Sequence, residues 1–131
     1  MIGLDTNVLV RYFVKDDPEQ TRRAVGLIHA LTPTEPGFVG LAVLVELIWV
    51  ITRRYRMKRD AISQTLAILL TSREIVVEQS DTVRAALQFH RSGNAGFADC
   101  LIAASAKAAG CSQTVTFDRI AARDAGMELV E

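Results

Sequence analysis

Leu41 to Ile51 reads Leu-Ala-Val-Leu-Val-Glu-Leu-Ile-Trp-Val-Ile, an apolar run broken only by Glu46. A segment apolar on every side packs as a buried helix, so the fold is expected to form around this one. An unpaired carboxylate in such surroundings costs several kcal/mol. Glu46 therefore needs a cation, a basic partner, or a proton retained through a raised pKa. No capping role accounts for an acid in the middle of a helix. The run is too short to cross a bilayer, and no membrane partner is expected.

Short apolar runs alternate with helical periodicities around this segment. Ile2-Gly3-Leu4 reads as a strand ending at Asp5. Val8, Leu9, Tyr12 and Phe13 then recur at helical spacing. Asp16-Asp17-Pro18-Glu19 is a helix start, with proline in the first turn and acids against the helix dipole. That helix is expected to run through Leu31. Thr32 to Gly37 is a loop, Phe38-Val39 a second strand, and the Glu46 helix follows. Lys58 to Leu70 is amphipathic, Ile75 to Val77 is a β-branched strand, and Asp81 to His90 is helical. An alanine-rich helix from Phe97 to Ala109 stops at Gly110. Thr114 to Phe117 is a fourth strand, Ile120 to Ala125 a short helix, and Leu129-Val130 a last strand. This alternation predicts an α/β fold, a three-layer α/β/α sandwich with a central parallel sheet of four to five strands. A chain of 131 residues, half of them apolar, is expected to be one domain over residues 1–131 with a core of its own.

Three more acids stand where an apolar element meets a turn: Asp5, Asp99 and Asp118. In open parallel sheets, ligands bind beyond the carboxyl ends of the strands. Asp5 follows strand one and Asp118 follows strand four. Asp99 lies in the first turn of the helix leading into strand four, and Glu46 in the second turn of the helix after strand two. Topology therefore allows all four to converge at one edge. Each Asp also has a plain structural reading. Asp5 and Asp118 are good N-caps, and Asp99 is a first-turn charge on a helix dipole. Clustered carboxylates repel, and without cations at least one should stay protonated. Oxygen-only donors suit Mg2+, with Mn2+ as a substitute, rather than zinc. Such ions polarise a phosphoryl oxygen and activate water, which makes a phosphodiester the natural substrate.

At this point the residues resemble a known family. Ile2-Gly3-Leu4-Asp5-Thr6-Asn7-Val8-Leu9-Val10, the lone Glu46, Phe97-Ala98-Asp99-Cys100-Leu101-Ile102-Ala103 and Thr114-Val115-Thr116-Phe117-Asp118 are similar to the PIN-domain ribonucleases. More closely, the whole chain resembles the VapC-type toxins of bacterial type II toxin–antitoxin pairs. The resemblance implies an endoribonuclease that uses a metal-activated water. Asp5, Glu46, Asp99 and Asp118 would hold Mg2+, with Thr6, Asn7 and Thr116 as polar neighbours orienting ligands or waters. It implies an RNA substrate (often tRNA or rRNA), a small VapB-like antitoxin covering the active site, and a homodimer. Many relatives carry an acid three residues before the match to Asp99. Gly96 stands there in this chain.

The remaining features are weighed against simpler explanations. Arg53, Arg54, Arg56, Lys58 and Arg59 form a dense cationic run that either grips RNA phosphates or decorates a helix end, where cations favour the dipole. Arg11, Arg119 and Arg123 are expected to balance the acidic edge. Tyr12, Phe13, Trp49 and Phe97 are assigned to the core rather than to base stacking, with Tyr55 the exception because it lies amid charges. Apolar faces near Val8 to Val14 and Ala24 to Leu31 are candidate walls of a partner groove. His29 and His90 form no credible acid–base pair. Cys100 and Cys111 form no metal motif and read as buried thiols in a reducing compartment. With no basic segment or signal peptide at the start, a cytoplasmic location is expected. The equal numbers of acidic and basic residues, 15 each, neither announce nor exclude a nucleic-acid partner.

Two rivals differ in chemistry. A phospho-acceptor receiver wants an acidic pair after strand one and a late lysine, and a phosphatase of the DxD kind wants an acid at position 7. Asp5 is followed instead by Thr6-Asn7, and Thr116-Phe117-Asp118 offers no lysine. The other rival is a catalytically silent PIN-like module that binds RNA or protein, which an incomplete acidic set would favour.

Overall fold

A computed structural model describes residues 1–131 as two compact units, Met1–Glu78 and Gln79–Glu131. The first holds β1 (Ile2–Gly3), α1 (Thr6–Val14), α2 (Pro18–His29), β2 (Gly37–Val39), α3 (Leu41–Arg53), α4 (Arg59–Thr71) and β3 (Ile75–Val77). The second holds α5 (Ser80–Ser92), α6 (Phe97–Ala108), β4 (Val115–Thr116), α7 (Arg119–Asp124) and β5 (Glu128–Leu129). All the expected helices and strands form, with ends displaced by one to a few residues, and every strand pairing is parallel.

In the first unit the strand order is β1-β2-β3, with Gly3 opposite Phe38 and Val39 opposite Val77. Gly37 is placed by close approach. A Cβ there would lie 2.8 Å from Leu4 Cδ1 and 2.9 Å from Leu31 Cδ1, so the leucines occupy the space a side chain would need. Asp17 caps α2 by accepting the Gln20 N–H at 3.1 Å, with Pro18 as its first residue. That helix stops at His29 instead of continuing through Leu31. Helix α1 packs on α2 and α3, and Leu9, Leu44, Leu47, Ile51, Leu66 and Leu69 are fully buried. Each such side chain contributes about 1.5–3 kcal/mol on burial.

Helix α3 corrects the expectation built on its composition. Leu44, Leu47, Ile48 and Ile51 form a buried stripe at i, i+3, i+4 and i+7. Ala42, Glu46 and Trp49 face outward, Trp49 being 60% exposed rather than part of the core. The apolar residues on the outer face hid an ordinary one-sided helix. Glu46 is thus an exposed acid, not a buried one. The helix starts at Gly40, which has no side chain to cap it, and Glu78 supplies the cap by accepting the Leu41 N–H at 2.8 Å.

In the second unit, α5 packs along α6. Val83, Ala86, Leu87, Phe97, Cys100 and Leu101 are buried. His90 is buried and meets the Phe97 ring edge-on at 6.4 Å. Strands β4 and β5 pair with Val115 opposite Glu128. Phe117, expected in β4, lies beyond it and is 82% exposed. Cys100 is buried and Cys111 exposed, so only one of the two thiols is a core residue. No helix is long and apolar enough to cross a membrane.

Candidate active site

Parallel pairing of β1 and β2 carries the chain out of the same edge twice. Asp5 leaves β1 there, and α3 starts there after β2. The order β1-β2-β3 has no reversal within this sheet, so the acids mark its carboxyl edge without a switch point. Asp5 stands at the N-cap position of α1 with extended backbone, yet its side chain makes no capping bond. Its carboxylate is therefore not consumed by the helix. Thr6, the next residue, is buried, and its hydroxyl donates to Glu46 Oε1 across the packed α1–α3 contact. Asp5, Thr6, Asn7 and Glu46 line one cavity of about 350 Å³ with Val10, Arg11, Val50, Arg54 and Tyr55.

Neither acid in this cavity is paired with a cation. Arg11, expected to balance them, turns to Asp16 at 2.8 Å and Gln20 at 2.7 Å, and donates to the Tyr55 hydroxyl at 3.4 Å. Tyr55 in turn donates to Asp16 Oδ2 at 2.7 Å. The hydrogen bond to Tyr55 leads the interactions holding Arg11 above the ordinary guanidinium range, and Asp16 is held below the carboxylate range by the same tyrosine and then by Arg11. Tyr55 is a structural tie rather than the free aromatic its charged neighbours suggested.

The second unit presents Asp99 and Asp118. Asp118 does cap its helix: Oδ1 accepts the Ile120 N–H at 2.8 Å and the Ala121 N–H at 3.1 Å. Thr116 Oγ1 accepts the Asp118 N–H at 3.0 Å and so fixes the turn from β4 into α7. Both capping bonds use one oxygen, and Oδ2 is left without a protein partner. Asp99, in the first turn of α6, is half-buried and makes no hydrogen bond or ion pair. Its carboxyl is raised above the ordinary carboxylate value, first by burial and then by the negative charge of Asp118. The two acids sit close enough to repel. Gly96 is the N-cap of α6, and a Cβ there would meet nothing within 4 Å.

The cationic run joins two helices. Arg53 ends α3 and Arg54 is its C-cap, while Lys58 is the N-cap of α4 and Arg59 its first residue. Attraction to a helix C-terminus explains Arg53 and Arg54. It fails for Lys58 and Arg59, which sit at a helix start where the dipole disfavours cations. Arg56 takes a left-handed backbone with φ 52°. Arg53, Arg54, Arg56 and Lys58 are exposed without ion pairs, whereas Arg59 is half-buried and engaged. Arg119 is exposed, and Arg123 is paired with Asp124 at 3.0 Å.

Sequence reasoning missed Glu78. Its partner is distant in sequence, and only the exit of β3 beside β2 brings it to α3. A cavity of about 260 Å³ lies among α1, α2, α4 and the start of β3, lined by Leu9, Tyr12, Phe13, Ile28, Ile68 and Ile75 among others.

No three His, Cys, Asp or Glu side chains gather tightly enough to form a complete protein cage for a metal. Mg2+ does not require one. It is commonly held by one or two carboxylates, with waters and substrate phosphates completing its shell. Asp5 with Glu46, and Asp99 with Asp118, offer hard anionic oxygens of that kind. The Asp99 carboxyl is raised first by burial and then by the charge of Asp118, and a nearby cation would oppose both.

A family model for the PIN domain matches residues 2–126. The chain is similar to a protein named VapC ribonuclease from Aquifex aeolicus (strain VF5), with 27% identity over 117 residues, covering 88% of this chain and 86% of that protein.

Proposed function

Since the chain belongs to the PIN domain family, we propose that it is a Mg2+-dependent endoribonuclease, the toxin of a VapBC-type toxin–antitoxin pair. In this reading residues 1–131 act as one domain, and its metal-binding acids are Asp5, Glu46, Asp99 and Asp118. The likeness to a protein named VapC ribonuclease supports the reaction class. The observation that carries the site assignment is that none of the four acids is neutralised by a cation. The ion pairs of the chain involve Glu35, Asp16, Glu19, Asp81 and Asp124 instead.

The chain's own groups have distinct tasks. The Thr6 hydroxyl holds one oxygen of Glu46 and leaves the other for a ligand. Asp118 is fixed by its capping bonds and by Thr116, and presents Oδ2. Asp5 and Asp99 keep both oxygens unbonded. Asn7 lines the same cavity and is exposed, which supports a role in orienting a water or a phosphate oxygen. A bound Mg2+ (or Mn2+) would neutralise phosphate charge and acidify water for in-line displacement. The substrate is RNA, with tRNA or rRNA the family's usual targets. A small VapB-like antitoxin, a homodimer and a cytoplasmic location complete the proposal.

The test is cleavage of RNA by the purified, partner-free chain with and without Mg2+. Asp5→Ala and Asp99→Ala should fold and abolish cutting. Full activity in Asp99→Ala would refute the assignment. The silent-module reading predicts no heat on titration with Mn2+, and the receiver and phosphatase readings predict labelling by acetyl phosphate.

A further inference from the structure

Five cations crowd the segment from Arg53 to Arg59, but only Arg54 among them lines the cavity that holds Asp5 and Glu46. Glu46, Val50 and Arg54 follow one another at i, i+4 and i+8 along the face of α3 that borders the cavity, Arg54 as its C-cap. Eight residues of helix rise span about 12 Å. The guanidinium is thus anchored well along the cavity from the acids, on a side chain long enough to reach back. It is exposed and has neither an ion pair nor a hydrogen bond. The other arginine of this cavity, Arg11, is already engaged by Asp16, Gln20 and Tyr55. An anion entering here meets two carboxylates, one neutralised guanidinium and one uncompensated guanidinium.

We propose that Arg54 is a substrate-binding residue that grips a phosphate of the RNA strand flanking the phosphate held at the acids, and so sets the register of the strand in the cavity. This rests on the nuclease reading above for the identity of the strand. The Arg11–Asp16–Tyr55 network is the counterpart of the assignment. It removes a competing cation, and through Tyr55 it ties down the chain next to Arg54. Guanidinium groups suit the task because their fork of donors matches two phosphate oxygens at once, which an ammonium does not. The remaining exposed cations of the segment contribute attraction without register.

The experiment uses the full chain and a short fluorescent single-stranded RNA of mixed sequence. Four proteins are compared: wild type, Arg54→Ala, Arg54→Lys, and Arg73→Ala. Arg73 is exposed and precedes β3, at the opposite edge of the sheet. Arg54→Ala should weaken binding measured without divalent ions about tenfold. The salt dependence of log K should become shallower by about 0.7, the loss of one phosphate contact on a single strand. With Mg2+, KM should rise by a similar factor while cut sites become less uniform. Arg54→Lys should restore the salt slope but not the cut-site pattern, and Arg73→Ala should match wild type. If Arg54→Ala and Arg73→Ala bind with the same affinity and slope, the inference is overturned. A wild type that binds RNA but never cuts it would overturn the nuclease reading while the binding comparison still decides on Arg54.

Discussion

Replacing Thr6 by Val removes one hydroxyl and little else. The side chain is 4% exposed, so valine keeps the shape of a packed site while Glu46 loses its hydrogen-bond donor. A hydrogen bond to a charged group contributes about 1.5–3 kcal/mol. Glu46 is exposed, however, and water replaces much of the lost partner. The net cost to folding should therefore be nearer ~1 kcal/mol, a fall in Tm of about 3–5 °C for a chain of this size. Activity should suffer more, because a carboxylate released to rotate no longer presents its second oxygen in one place. Loss of such supporting bonds typically costs about 10–100-fold in metal affinity or rate. Thr6→Ser supplies the control. It keeps the donor and deletes a buried methyl, at about 1 kcal/mol. The two variants should thus melt at similar temperatures yet differ in RNA cleavage and in heat released on titration with Mn2+. If Thr6→Ser is as inactive as Thr6→Val, or if Thr6→Val cleaves like wild type, the positioning role of the hydroxyl is wrong.

Asp99→Asn tests the cost of burying a charge at position 99 beside Asp118. A carboxyl raised above its ordinary 3.8 holds its proton more tightly folded than unfolded, so its ionisation destabilises the fold as pH rises through and above that value. The variant should melt higher than wild type at neutral pH, with the gain vanishing in acid, and it should lose the stabilisation that Mn2+ gives wild type. Scanning calorimetry at several pH values, with and without Mn2+, reads both effects. Asp118→Ala should cost about 1 kcal/mol because it removes a working cap, whereas Asp5→Ala should cost little because Asp5 caps nothing. Equal urea midpoints for the two variants would contradict this. Gly37→Ala should cost about 1–3 kcal/mol by overpacking against Leu4 and Leu31, seen as a lower urea midpoint at unchanged slope.

Much of the fold was legible because the local signals agreed with one another. Asp17-Pro18-Glu19 marks a helix start by three independent means, and the structure places a capped helix there. Strand lengths were less legible. A two-residue pairing such as Val115–Thr116 carries almost no pattern, and its apolar neighbour Phe117 reads in sequence as part of the strand although it is exposed. Glu46 teaches a sharper lesson. Its apolar neighbours in sequence imply a buried charge, and it is an exposed one. Composition could not separate a helix buried on all sides from one whose outer face also carries Ala42, Val45 and Trp49. What survives is the narrower argument that no cap and no cation accounts for this acid. The Arg11 network was invisible for a different reason. Tyr55 lies far along the chain from Asp16, and nothing local announces the pairing.

The contrast between Asp5 and Asp118 bears on why acids of this kind stand at helix starts. In sequence the capping and metal-binding readings compete, and each would explain the residue alone. In space they need not compete, because an ionised carboxylate has two oxygens and about four acceptor positions. Asp118 spends one oxygen on two backbone N–H groups, which fixes the direction of the other. Asp5 and Asp99 lie beside the positive ends of α1 and α6 without being bound by them. A helix N-terminus carries roughly half a positive charge. That offsets part of the cost of holding carboxylates near one another, and it does so without occupying the oxygens a divalent ion would need. A lysine or arginine in the same place would offset more, but it would also compete with the ion for the same oxygens. On this argument a cation introduced beside Asp99 should lower its raised carboxyl pKa and weaken Mn2+ binding. Gly96→Lys is the variant to make, since the space there is open. A Gly96→Lys protein that still binds Mn2+ as tightly as wild type would show that the uncompensated charge at this site serves some other purpose.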